Sequence, residues 1–286
     1  MRNNEDRLGT NSIDGDAPPQ TKGGQSGASF SFSTPTEFVE LPSGGRFYPQ
    51  DHPLHGKVDI EIRHMTAKDE DILTSETLIK KGIAIERLLQ NVIVDKTIDV
   101  NSLLVGDKNA LVIATRITGY GADYHTRVIC PSCSKSVEGQ FDLEIKELYR
   151  AQEEDIVERG IKVTDAGTFI LNTPIMDAMV EVRLMNGHDE EYLNKLAESK
   201  RKKKLIESFL TDQLRRMIVS VNGDSSAALI AEFVNHMPAR DSRHLRTMYQ
   251  YVVPDVKLAQ EFICASCEHS QELEVPFTVD FFWPKQ

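Results

Sequence analysis

An α+β fold built as a tandem duplication, each copy a strand followed by helices, is what the sequence predicts, and three observations carry it. Short stretches alternate apolar and polar residues at the period of a half-buried strand, and longer ones place apolar residues on one helical face. Segments of the first half recur in the second. The four cysteines of this 286-residue chain all fall into two Cys-x-x-Cys pairs, one towards the close of each half.

The pairs are Cys130-Pro131-Ser132-Cys133 and Cys264-Ala265-Ser266-Cys267. Strand-forming residues lead into each, Arg127 to Ile129 and Glu261 to Ile263, and lead out again, Val137 to Leu143 and Glu272 to Val279. A two-residue spacer lets two thiolates point at one ion from a tight turn, and two such turns complete the tetrahedral shell of structural zinc. Cys130, Cys133, Cys264 and Cys267 are therefore the expected ligands of one structural zinc per chain, in a ribbon whose halves come from different copies. A redox pair would open a helix, and no helical pattern follows either pair. Disulfides would need an oxidising compartment, and the chain begins Met-Arg-Asn-Asn-Glu-Asp without an apolar signal segment. Four unrelated buried thiols are the remaining alternative. With four sulfurs available, His125 and His269 are expected at the surface.

Composition narrows the function classes. No run approaches the ~20 apolar residues that cross a bilayer, so no membrane partner is expected. The 44 acidic and 33 basic residues give a net charge of −11, which opposes binding to a phosphate backbone. Nucleic acid is therefore not an expected partner, and a zinc-ribbon nucleic-acid-binding regulator is the alternative reading.

Residues 1 to 37 are polar and small with few apolar exceptions, a composition that cannot offset chain entropy, and are expected as a disordered tail. The first copy, residues 38 to 150, opens with Phe-Val-Glu-Leu-Pro-Ser-Gly-Gly-Arg-Phe-Tyr-Pro, expected as a hairpin from Phe38 to Tyr48 turning at Pro42 to Gly45. Packing on the next domain and binding a partner are its two readings; on the second, Phe38, Leu41, Phe47 and Tyr48 are the contact residues. Lys57 to Arg63 alternates as a strand with Val58, Ile60 and Ile62 on one face. Thr66 with Asp69 three residues on predicts a helix start, and Ile85, Leu88, Leu89 and Val92 form a helical stripe. Gly106-Asp107 is expected as a turn before the helix of Leu111, Ala114 and Ile117, which ends near Gly119 and Gly121.

Residues 151 to 175 are expected as a linker carrying a worn copy of the hairpin, Lys162 to Pro174, and residues 176 to 286 as the second copy. Ile60-Glu61-Ile62-Arg63 matches Val180-Glu181-Val182-Arg183 at an offset of 120, and Asp69 matches Asp189. Near the cysteines the offset is 134, where Asp107 matches Asp241 and Leu111 matches Leu245. The extra residues are expected in one long helix from Glu190 to Val221. It carries Lys200-Arg201-Lys202-Lys203-Lys204, the phosphate or nucleic-acid contact of the regulator reading and otherwise a solvated face or a dock for an acidic partner, in which Lys202 and Lys203 are the expected contacts. Asp224, Pro238 and Pro254 punctuate the last helices.

No Gly-rich phosphate loop, nucleophile elbow or His-Glu-x-x-His helix is present, and the carboxylate clusters lie where helix starts are expected. The chain is not expected to be an enzyme. The opening Phe38 to Pro49 stretch, with Val58-Asp-Ile-Glu-Ile-Arg-His-Met-Thr-Ala-Lys-Asp-Glu-Asp-Ile-Leu73, resembles the T-even-type bacteriophage baseplate hub and hub assembly proteins, most closely over residues 38 to about 150. The resemblance implies a late phage protein in the host cytoplasm during assembly, or in the virion tail baseplate. It would act as a hub component or as a chaperone of the hub and tape-measure proteins, its expected partners.

Overall fold

A computed structural model describes residues 33–277 and 281–283; the disordered tail expected over residues 1 to 32 lies outside them. β1 (Thr36–Glu40) pairs antiparallel with β2 (Asp59–Arg63), so residues 36 and 37, assigned to the tail, belong to a strand. The stretch from Phe38 to Tyr48 is not a hairpin. Its strand finds its partner only after a tight turn at Pro42 and a further loop, because the run that matches β1 in length and alternation is β2. Val39, Ile60 and Ile62 point inward, whereas Val58, just ahead of β2, is exposed.

α1 (Ala67–Thr74) starts where the Thr66 and Asp69 pair predicts, with Asp69 accepting the Thr66 backbone N–H at 2.8 Å. After α2 (Glu76–Lys80), α3 (Ala84–Val92) buries Leu88, Leu89 and Val92 along its stripe. A 3-10 turn (Val100–Ser102) leads into α4 (Val105–Tyr120). Gly106 and Asp107, expected as a turn, lie inside α4. Gly106 is there because a Cβ at that position would stand 1.9 Å from the Pro254 carbonyl oxygen. Gly121 ends α4 at φ 80°, in the left-handed region that glycine tolerates.

β3 (Asp123–Ile129) and β4 (Ser136–Asp142) form the first cysteine hairpin. The acidic segment from Leu143 to Arg159 holds β5 (Glu147–Tyr149) and α5 (Glu153–Glu158). A four-stranded sheet follows in the order β6 (Lys162–Val163), β7 (Phe169–Asn172), β8 (Met179–Val182), β9 (Ile218–Val221). β7 falls within the expected linker and pairs with β8. The expected helix from Glu190 to Val221 is broken into α6 (Gly187–Lys202), α7 (Phe209–Met217) and β9. Lys204 leaves the right-handed helix at φ 54°, and Lys200 reaches across the elbow to the buried Asp212. α8 (Ala227–His236) and α9 (Ala239–Val252) follow, α9 bracketed by Pro238 and Pro254 as expected. β10 (Asp255–Lys257) crosses back to pair with β5, and β11 (Ala259–Ile263) with β12 (Ser270–Glu274) forms the second cysteine hairpin.

Matching positions in the two halves hold matching bonds. Arg63 forks onto Asp69 at 2.7 and 2.9 Å, and Arg183 onto Asp189 at 2.7 and 2.8 Å. Asp107 at the start of α4 accepts the Ser43 backbone N–H at 2.8 Å, and Asp241 at the start of α9 accepts those of Ile175 and Met176 at 2.8 and 2.9 Å. Ile93 after α3 bridges to β2, as Ile218 after α7 pairs with β8. The extra residues of the second half are divided between the α6–α7 elbow and the α8 segment rather than held in one helix. The halves also interlock. Val105 donates to the Met185 carbonyl at 3.2 Å and Gly187 to that of Leu103 at 3.1 Å. The Trp283 indole donates to the Leu73 carbonyl at 3.0 Å, and buried Arg116 donates to that of Phe281 at 2.6 Å.

Candidate metal centre

The two cysteine hairpins close with the same backbone geometry. In the first, Cys130 N–H donates to the Lys135 carbonyl at 3.0 Å and Ser134 N–H to that of Cys130 at 2.8 Å; in the second, Cys264 donates to His269 at 2.9 Å and Glu268 to Cys264 at 2.8 Å. Ser134 and Glu268 take the left-handed conformation, at φ 57° and 56°. This turn points both thiols of a pair the same way. The hairpins are held face to face by Gln260, whose side chain accepts from the Asp142 backbone N–H at 3.1 Å and donates to its carbonyl at 2.6 Å. Lys135 also donates to the Ser266 hydroxyl at 2.9 Å.

The result is a cluster whose four sulfurs all lie within 4.8 Å of one another. Cys130 and Cys267 stand 3.7 Å apart and Cys133 and Cys264 3.8 Å. Four sulfurs ~2.3 Å from one ion form a tetrahedron with edges of about 3.8 Å, so the cluster fits a tetrahedral thiolate site. The separations are far beyond the ~2.0 Å of a disulfide, and all four cysteines are free. Backbone N–H groups of Cys133 and Ser132, with help from the neighbouring thiols, pull the Cys130 thiol down to about 6. Cys267 has a backbone donor at His269, but the three neighbouring thiols outweigh it and push its thiol up to about 12. Cys130 and Cys264 are buried while Cys267 is exposed. His125 is exposed and His269 part-buried beside Gln271.

The residues expected at a partner surface divide. Phe38 is 69% exposed on β1. Leu41 and Tyr48 are instead interior, at 0% and 4% exposure. The Tyr48 hydroxyl donates to Asp107 at 2.8 Å and accepts the Leu104 N–H at 3.0 Å, so it ties the Pro42 turn to the start of α4. Burial, then the Asp107 charge, raises the Tyr48 phenol far above its ordinary range, and burial raises Asp107 despite the bonds from Ser43 and Tyr48. Phe47 is half-buried, its ring 5.4 Å from that of Phe169 across the two halves. The Leu-Pro-Ser-Gly stretch is thus an internal joint, because its polar groups are matched by Asp107, which sequence spacing could not pair with it.

In the basic run, Lys200 is withdrawn to Asp212, Lys202 pairs with Glu198 at 2.8 Å, and Lys203 is exposed. Beside them Leu205 and Ile206 are 57% and 90% exposed. Sequence reasoning missed Gln260 and Arg116 as joints, and the closing Phe281-Phe282-Trp283 as core; the density of aromatics there was the available signal. Among the described residues no helix is long and apolar enough to cross a membrane.

The chain matches the family model described as T4 bacteriophage base plate protein over residues 34–283. No curated protein and no solved structure matches the chain.

Proposed function

The chain belongs to the T4 bacteriophage base plate protein family, and we propose that within the baseplate it is a non-enzymatic adaptor of the hub. It is either a hub component or a chaperone of the hub and tape-measure proteins, working in the host cytoplasm during assembly and carried into the virion tail baseplate if it is a component. One observation carries the adaptor reading: the cysteine cluster draws two ligands from each half, so its occupation locks both halves into one stiff body. We assign the cluster to one structural zinc per chain. The repeated Arg–Asp forks and the paired Asp107 and Asp241 caps support a tandem duplication, its copies joined by a shared zinc ribbon. Phe38, Phe47, Lys202 and Lys203 remain the proposed partner contacts, Phe47 through the half of its ring that Phe169 leaves uncovered, whereas Leu41 and Tyr48 are withdrawn from that role.

The test is co-expression of the full chain with the hub and tape-measure proteins of the same phage, followed by purification and mass spectrometry of finished virions. A stable complex with either partner is the expected result, and presence in virions separates component from chaperone. Association only with peripheral baseplate proteins would overturn the hub assignment.

A further inference from the structure

β1 and β7 occupy matching places, each antiparallel to the strand that leads into the Arg of an Arg–Asp fork, yet their outer edges differ. In the second half β6 pairs with β7, setting Lys162 against Ile170 and Val163 against Phe169. In the first half β1 pairs with β2 alone among the described residues. The bonds of Leu41 N–H to Val58 and of His64 N–H to Pro35, both 2.8 Å, fix which β1 residues face β2. By the alternation of an antiparallel ladder, the N–H and C=O groups of Thr36, Phe38 and Glu40 point away from it. Phe38 corresponds in register to Ile170, each opposite the matched glutamates Glu61 and Glu181.

The open edge faces a groove of about 540 Å³. Its floor is apolar, from Ala110, Ala114 and Ile117 of α4 with Leu148 and Val256, and its charged lining is Glu37, Glu40, Glu144 and Lys146. An exposed strand edge over an apolar groove is a template for strand addition, in which main-chain bonds give affinity and alternate side chains fill the groove.

We propose that β1 accepts an extended segment of a partner baseplate protein as an added strand, in the place that β6 fills in the second half. The segment is apolar at alternate positions and carries a Lys or Arg, as Lys162 does in β6. Charge favours such a partner over a second copy, since the groove lining sets Glu37, Glu40 and Glu144 against Lys146 and each chain carries a net charge of −11. The inference rests on the adaptor reading above.

The experiment uses full-length wild type, Phe38→Ala and Phe38→Pro, each co-expressed with the phage's hub and tape-measure proteins. Proline on an edge strand with its N–H side outward is tolerated, so Phe38→Pro should keep the thermal midpoint and metal content while binding at least tenfold more weakly. Phe38→Ala should lose less. Hydrogen exchange at Thr36, Phe38 and Glu40 should slow at least tenfold in the wild-type complex relative to the free chain. A complex that forms and ignores Phe38→Pro overturns strand addition while leaving the adaptor reading intact. A Phe38→Pro chain that unfolds leaves the exchange measurement to decide, and unchanged exchange in the complex overturns the proposal. Slow exchange in the free monomer assigns the edge to this chain's own residues, and slow exchange in a sedimenting homodimer assigns it to a second copy; either overturns the proposal. Failure of wild type to form any complex sinks both readings.

Discussion

The hydroxyl of Tyr48 donates to the carboxylate of Asp107 at 2.8 Å, joining residues 59 positions apart in the interior of the first half. Ser43 holds the other side of the same carboxylate, its N–H bonding one oxygen at 2.8 Å and its hydroxyl bonding at 2.6 Å the oxygen that Tyr48 uses. Removing one partner of such a buried network leaves a polar group unsatisfied, at a cost of about 1–3 kcal/mol. Tyr48→Phe should therefore lower stability by that amount in urea unfolding, and Tyr48→Ala by about 3–5 kcal/mol through the added cavity. A change within about 0.5 kcal/mol, as for a surface residue, would contradict the joint.

The cysteine cluster gives a prediction of stoichiometry. Protein purified under reducing conditions should carry one zinc per chain by elemental analysis. Cys130→Ser and Cys264→Ser should lose metal affinity to a similar extent, on the order of tenfold or more as ligands are removed. Because each half supplies two ligands, chelation should speed hydrogen exchange in β3–β4 and β11–β12 together. Loosening of one hairpin alone would refute a shared site.

Acid should act through the two Arg–Asp forks. Burial alone would raise Asp69 and Asp189, but Arg63 and Arg183, with the backbone N–H groups of Thr66 and Asn186, hold both carboxyls below the usual carboxylate range. Their contribution is complete above about pH 4, where the unfolded carboxylates are ionised, and is lost as pH falls through the lower folded values. Asp107 has the opposite sign, since burial raises it and its cost is largest above that raised value. Thermal midpoints measured from pH 7 to pH 2.5 should fall below about pH 4. Asp69→Asn should cost about 3 kcal/mol or more at neutral pH, by leaving Arg63 without its counter-charge, and should flatten that fall.

The basic run predicts weak attraction to nucleic acid. With Lys200 turned to Asp212 and Lys202 paired with Glu198, few cations are left to release counterions from a duplex. Fluorescence anisotropy with a labelled duplex at physiological salt should show no micromolar binding. Micromolar affinity that falls steeply with salt and vanishes when residues 200 to 204 are neutralised would favour the regulator reading instead.

The local elements were largely written in the sequence. Alternation at Ile60 and Ile62, the Thr66 and Asp69 start of α1, the stripe of α3 and the prolines around α9 are each decided within a few residues, so spacing alone carries them. The cysteine cluster was legible for the same reason, because a Cys-x-x-Cys knuckle is a local turn and four thiols had to find one another. What the sequence could not decide was which distant surfaces meet. Nothing near Tyr48 announces that Asp107 will take its hydroxyl, and an aromatic pair after a glycine turn reads equally as anchor or core until the α4 start is brought beside it. The α6–α7 elbow brings Lys200 onto Asp212, a pairing in space that the continuous helical pattern of the sequence does not show. Phe38 shares its segment with Leu41 and Tyr48, yet it alone of the three stays exposed, because among the described residues β1 pairs with β2 alone. Burial is a property of what packs against a residue, and that is fixed only when the two halves close on each other.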